Sequence, residues 1–86
     1  MYVILVYDVS AKRTGKMLRL CRQYLHWIQN SVFEGHLRPS QLKELTSRAK
    51  TIMQEDDSLI IFKSRDARWL EKEIIGTERN STDNFI

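Results

Sequence analysis

The sequence predicts an α+β protein in which two helices pack on one face of a mostly antiparallel sheet. Three observations carry this reading. Two runs of β-branched and aromatic residues, Tyr2 to Tyr7 and Leu59 to Phe62, show no polar alternation; two longer stretches repeat apolar residues at helical spacing; and the elements follow as strand, helix, strand, helix, strand, strand. With 86 residues, residues 1–86 form one domain. A chain this short buries only about 60–65% of the surface its unfolded form exposes, so support from a partner is expected.

Tyr2 to Tyr7 reads as a strand covered on both faces and central in its sheet, and Asp8 ends it. From about Thr14 to Trp27 the period becomes helical. Met17, Leu18, Leu20, Cys21, Tyr24, Leu25, Trp27 and Ile28 fill one arc, and Lys12, Lys16, Arg19, Arg22, Gln23 and His26 fill the other. Asn30 to Leu37 returns to strand character, with Gly35 marking a bulge or a close backbone approach. Pro39 and Ser40 then open a second amphipathic helix, Ser40 to Gln54, whose apolar face is Leu42, Leu45, Ala49, Ile52 and Met53.

Glu55-Asp56-Asp57 reads as a solvated turn, and Leu59 to Phe62 as a second doubly covered, central strand beside the first. Asp66 to Gly76 admits two readings. Asp66 can cap a helix that Gly76 ends, or Arg65-Asp66-Ala67-Arg68 can turn into a strand through Ile75, and the strand is preferred. A polar tail begins at about Thr77 and ends in Phe85-Ile86, an apolar pair with reason to dock.

Composition narrows the function. Apolar residues make up 42% and charged residues 29%, as in a globular chain, and the longest apolar run is far short of the roughly 20 residues that cross a bilayer. The single cysteine, Cys21, cannot form an intramolecular disulfide, and no secretory leader is evident, so a reducing cytoplasm is expected. The net charge of +3 is modest, but its distribution is informative, because no Asp or Glu occurs from Val9 to Phe33. Lys12, Arg13, Lys16, Arg19 and Arg22 fall in that stretch, and a face built for solubility normally mixes signs. It reads as a phosphate-contacting face, in competition with an ordinary solvated one.

Asp8 is the residue on which chemistry turns. It either accepts hydrogen bonds from the turn that follows or is a reacting group presented at a strand end. Ser10, Lys12 and Arg13 come next in the connecting loop, so a carboxylate, a hydroxyl and two cations converge near the start of the first helix. One carboxylate per chain is too few to hold Mg²⁺ or Mn²⁺, whereas a two-fold axis near Asp8 supplies a second. Tyr7 and Phe33 are supporting candidates, as aromatic rings able to stack on bases, although core packing competes for both, as it does for Tyr24 and Trp27. His26 and His36 lack spaced partner ligands, and Cys21 lies in the apolar arc of its helix.

The chain resembles the family of CRISPR-associated protein two, the small subunit of the spacer-acquisition machinery of prokaryotic adaptive immunity. Three pieces carry the resemblance: Tyr2-Val3-Ile4-Leu5-Val6-Tyr7-Asp8-Val9-Ser10, then Ile28-Gln29-Asn30-Ser31-Val32-Phe33-Glu34-Gly35, then Asp57-Ser58-Leu59-Ile60-Ile61-Phe62 with the later Ile74-Ile75-Gly76. It implies a ferredoxin-like fold, with two short strands between Gln29 and Leu37 and an extra C-terminal strand at Ile74-Ile75-Gly76 that clamps a homodimer. It also places the metal-binding carboxylate at Asp8. Two activities follow from the resemblance: a metal-dependent endonuclease on single-stranded RNA or double-stranded DNA, or a non-catalytic DNA-binding scaffold between dimers of a partner integrase. Fold alone leaves a third, a regulatory or toxin-type module.

Overall fold

The computed structural model describes residues 1–76. Residues 77–86, with the expected tail and the Phe85-Ile86 pair, lie outside the described part. Four strands and two helices alternate as β1 (Tyr2–Asp8), α1 (Ala11–Arg22), β2 (His26–Gln29), β3 (Val32–His36), α2 (Pro39–Ile52) and β4 (Ser58–Ser64), followed by one 3₁₀ turn at Ala67–Trp69. The sheet is antiparallel throughout, with strand order β2-β3-β1-β4. This is the ferredoxin-like arrangement.

Strand alternation sorts β1 onto two faces. Val3, Leu5 and Tyr7 point at the helices and join Met17, Leu20, Cys21, Leu25, Phe33, Leu37, Leu42, Leu45 and Ala49 in one buried cluster. Tyr2, Ile4, Val6 and Asp8 point to the opposite, open face. Phe33 is fully buried at the centre of the cluster, against Tyr7 with ring centroids 5.9 Å apart. Phe33→Ala is expected to cost about 3–5 kcal/mol in a urea titration, a large part of the stability of so small a domain.

The first helix is displaced from its expected range. It begins at Ala11, so Lys12 and Arg13 occupy its first turn rather than a loop, and it ends at Arg22 rather than Trp27. Leu25 and Ile28 are buried beyond the helix end, Leu25 in the core and Ile28 beside Ile4 and Val32, which is why the apolar arc runs on past it. His26–Gln29 instead pairs with β3, giving two strands in place of the single one read over Asn30–Leu37. Asn30 makes the tight turn between them at φ 41, a left-handed conformation that Asn tolerates. The Trp27 indole N–H secures that turn by donating to the Asn30 carbonyl at 2.9 Å. Gly35 is a point of close approach, since a Cβ there would stand 3.1 Å from a Leu25 methyl. The second helix forms as expected, and Gln41 caps it by accepting the Arg38 N–H at 2.8 Å.

β4 pairs beside β1, but it is an edge strand. Ile60 and Phe62 lie opposite Val6 and Ile4 on the open face and are 52% and 58% exposed. The expectation of a central strand covered on both faces therefore fails among the described residues. The expected extra strand is also absent among the described residues. After the Asp66-capped turn, 70–75 has no ladder partner among the described residues and passes instead beside Ile4, Ile28 and Val32 on the open face. Lys72 holds it there through an ion pair with Glu34, which also accepts the Tyr2 hydroxyl.

Candidate active site

Asp8 is the last residue of β1, opposite Ser58 in the ladder, and is exposed. Its carboxylate has no hydrogen-bond or ion-pair partner among the described residues. The turn-holding alternative therefore fails for Asp8. A different carboxylate performs that task.

Asp57, read from sequence as part of a solvated turn, has a side chain only 2% exposed. Its Oδ2 accepts Arg13 Nε at 2.7 Å and the Gln54 N–H at 2.8 Å, and its Oδ1 accepts Arg13 Nη2 at 3.0 Å and the Ser10 N–H at 3.2 Å. The Arg13 guanidinium first, then the Gln54 and Ser10 amides, hold its carboxyl down at about 2. Placed beside Ser10, the residue that opens α1, Asp57 also sets a negative charge at the positive end of a helix whose first turn has no acid of its own. Arg13 was expected to contact phosphate. Its guanidinium is instead committed to Asp57, with the side chain 19% exposed.

The remaining expected residues separate into three groups. Lys12, Lys16 and Arg19 are exposed along α1 with no hydrogen-bond or ion-pair partner among the described residues, whereas the Arg22 guanidinium lies over the Trp27 ring at 5.6 Å. Tyr7 and Phe33 are core residues, so base stacking is closed to them and their part is to fix the end of β1. Ser10 gives its amide to Asp57, while its buried hydroxyl has no partner.

Beside Asp8 lies an open cleft of about 400 Å³, bounded by Tyr7 and Val9, by Thr14, Gly15 and Leu18 of α1, and by the Asn30-Ser31 turn. Asn30 and Ser31 were not among the expected site residues. Their signal was the Asn at a hairpin turn, visible only once β2 is known to be a strand. Among the described residues no three His, Cys, Asp or Glu side chains gather as a metal centre, and His36 packs on the Tyr2 ring at 5.3 Å. Asp8 matches a hard cation in donor type but not in number.

Cys21 is excluded as a nucleophile. Burial pushes its thiol up to about 12, so it is protonated at neutral pH. Native protein is expected to leave a disulfide reagent unreacted until denaturant is added; fast labelling of the folded chain would contradict this.

Comparison with known proteins places the arrangement. The family model for CRISPR associated protein Cas2 matches residues 1–72. The chain belongs to the Cas2 family. A CRISPR-associated endoribonuclease Cas2 of Fusobacterium nucleatum is 46% identical over 92 residues, covering 100% of this chain and 87% of that protein. One from Methanosarcina acetivorans is 42% identical over 87 residues and covers both chains completely. A crystal structure of cas2 superposes with a TM-score of 0.79 at 42% identity, over 92% of this chain and 90% of the other. Cas2 membership agrees with the ferredoxin-like sheet order. No helix among the described residues is long and apolar enough to cross a membrane.

Proposed function

We propose that this chain is a metal-dependent endonuclease of CRISPR immunity, acting on single-stranded RNA or double-stranded DNA as a homodimer that pools one Asp8 from each protomer. The observation that carries the reading is the position of Asp8. Its unpartnered carboxylate ends the row of open-face residues that continues through Val6 and Ile60 to Ile4 and Phe62. A second copy covering that apolar face would remove Ile60 and Phe62 from water and bring a second Asp8 toward the first. It would also offer segment 70–75 a strand partner that the described residues of its own chain do not supply. The related proteins named endoribonucleases support the same activity.

The two Asp8 carboxylates would hold the ion, Mg²⁺ or Mn²⁺. When bound, such an ion polarises a phosphoryl oxygen and lowers the pKa of water. The chain's own residues do the rest. Asp57 and Arg13 fix the loop after β1, so Asp8 is presented rather than drawn into the turn, and Lys12, Lys16 and Arg19 attract the phosphodiester backbone.

A second reading is favoured by the acid-free cationic face of α1: a non-catalytic DNA-binding scaffold for a partner integrase in spacer acquisition. Purified protein incubated with RNA and with duplex DNA, in Mg²⁺, Mn²⁺ or chelator, separates the two. Cleavage that needs the ion and disappears in Asp8→Asn supports the nuclease, and cleavage that survives Asp8→Asn overturns it. Spacer acquisition that survives Asp8→Ala but not neutralisation of Lys16, Arg19 and Arg22 supports the scaffold.

A further inference from the structure

A second groove, separate from the Asp8 cleft, runs between α1 and α2. It has a volume of about 310 Å³ and is lined by Lys16, Arg19, Gln23, Arg48 and Thr51 over Leu20 and Ile52. Among the described residues three cations and no carboxylate line it. Lys16 and Arg19 have no ion-pair partner among the described residues. Arg48 is held in place. Its Nη1 donates to Gln23 Oε1 at 3.1 Å and to the Tyr24 hydroxyl at 2.9 Å, and its guanidinium lies 5.7 Å from the Tyr24 ring centre. Both direct partners are neutral, and Glu44 is reached only through the Tyr24 hydroxyl, so they orient Arg48 without a direct ion pair. The Tyr24 hydroxyl is oriented in turn by donating to Glu44 at 2.8 Å.

Like charges gathered around one groove repel each other unless an anion enters. A guanidinium has five donors in a planar fork, which suits it to phosphate oxygens, and the contacts of Arg48 engage only Nη1. We propose that the α1–α2 groove seats the sugar-phosphate backbone of a nucleic-acid duplex, with Arg48 as its fixed phosphate contact. This rests on the nucleic-acid reading above and adds a second helix to the binding surface. Lys12, Lys16 and Arg19 follow one stripe of α1, and the seven helical steps from Lys12 to Arg19 span about 10 Å. That length exceeds one phosphate and fits a polyanion with successive phosphates. Such contacts set affinity and register without reading bases.

The test is the salt dependence of binding to a synthetic DNA duplex, measured on Asp8→Ala protein in chelator so that no cleavage intervenes. Arg48→Gln is expected to weaken binding roughly 5–10-fold at low salt and to lower the slope of log K against log salt by about 0.9, the equivalent of one phosphate contact. Arg48→Lys should restore the slope because it restores the charge. Gln23→Ala, which removes a tether and keeps the cation, should weaken binding with the slope unchanged. A combined Lys16→Gln and Arg19→Gln protein should lose about twice the slope of Arg48→Gln. If that protein loses affinity while Arg48→Gln binds with wild-type affinity and slope, the groove proposal is overturned and the nucleic-acid reading stands. If no substitution alters affinity or slope, both fall. Circular dichroism melts confirm that each variant is folded.

Discussion

An equimolar mixture of wild-type and Asp8→Ala protomers, dissociated and reassembled together, is expected to cleave RNA at about one quarter of the wild-type rate. Random pairing makes about one quarter of the dimers wild type on both sides, and only those possess two carboxylates. If each protomer carried a complete site, the mixture would retain about one half. The Asp8→Ala homodimer itself should fall by ~10³-fold or more, because an ion that stabilises the transition state by several kcal/mol loses its protein ligands. The substitution suits this test because the Asp8 carboxylate is exposed and has no partner among the described residues. Its removal leaves no buried donor unsatisfied, and the thermal midpoint should match wild type. A midpoint that fell with the activity would reduce the result to a folding defect and defeat the shared-site proposal as tested.

The roles of two aspartates show how far a sequence can be read here. Asp8 and Asp57 lie at the same end of two paired strands, Asp8 opposite Ser58 and Asp57 just before it. Sequence offered Asp8 as either turn-holder or reacting group and gave Asp57 to solvent; in the structure Asp57 holds the turn. The bonds that decide this come from Arg13 and Ser10, 44 and 47 residues away, so no local pattern encodes them. Composition likewise counted Arg13 among the free cations, since a charge count cannot see its partner. Periodicity worked where one face alone is buried, as with Leu42, Leu45 and Ala49 of α2. It failed at Leu25 and Ile28, which are buried just past the helix end and so extend its apolar arc, and β2 was hidden. The apolar run of β4 was read as covered on both faces, and among the described residues it is not. The exposed Ile60 and Phe62 turn that mismatch into the strongest argument for a second copy.

Asp57→Asn is expected to destabilise the fold and to remove part of its acid sensitivity. The wild-type carboxyl has an ordinary value of 3.8 and is held at about 2 in the folded chain. A depressed folded pKa means that the ionised group stabilises the fold above 3.8. That contribution is lost as pH falls through the folded value of about 2. Thermal midpoints recorded across this interval should therefore drop steeply for wild type and more gently for Asp57→Asn, which has no proton to take up there. At neutral pH the variant should melt several degrees lower, because the asparagine NH2 replaces one of the two acceptor oxygens and so turns donors toward Arg13 and toward one of the two backbone N–H groups, Gln54 or Ser10. Cleavage should fall as well, even at temperatures where the variant is folded. With the Asp57 anchor gone, the loop through Ser10 and the first turn of α1 no longer hold the end of β1, and Asp8 loses its fixed direction. Arg13→Gln tests the same linkage from the other side: it leaves Asp57 with only its two amide donors, so the carboxyl should titrate at a higher pH and the acid limb should shift upward. An acid limb identical in wild type and both variants would show that Asp57 does not anchor the loop. Its bonds to α1 would then have no part in presenting Asp8.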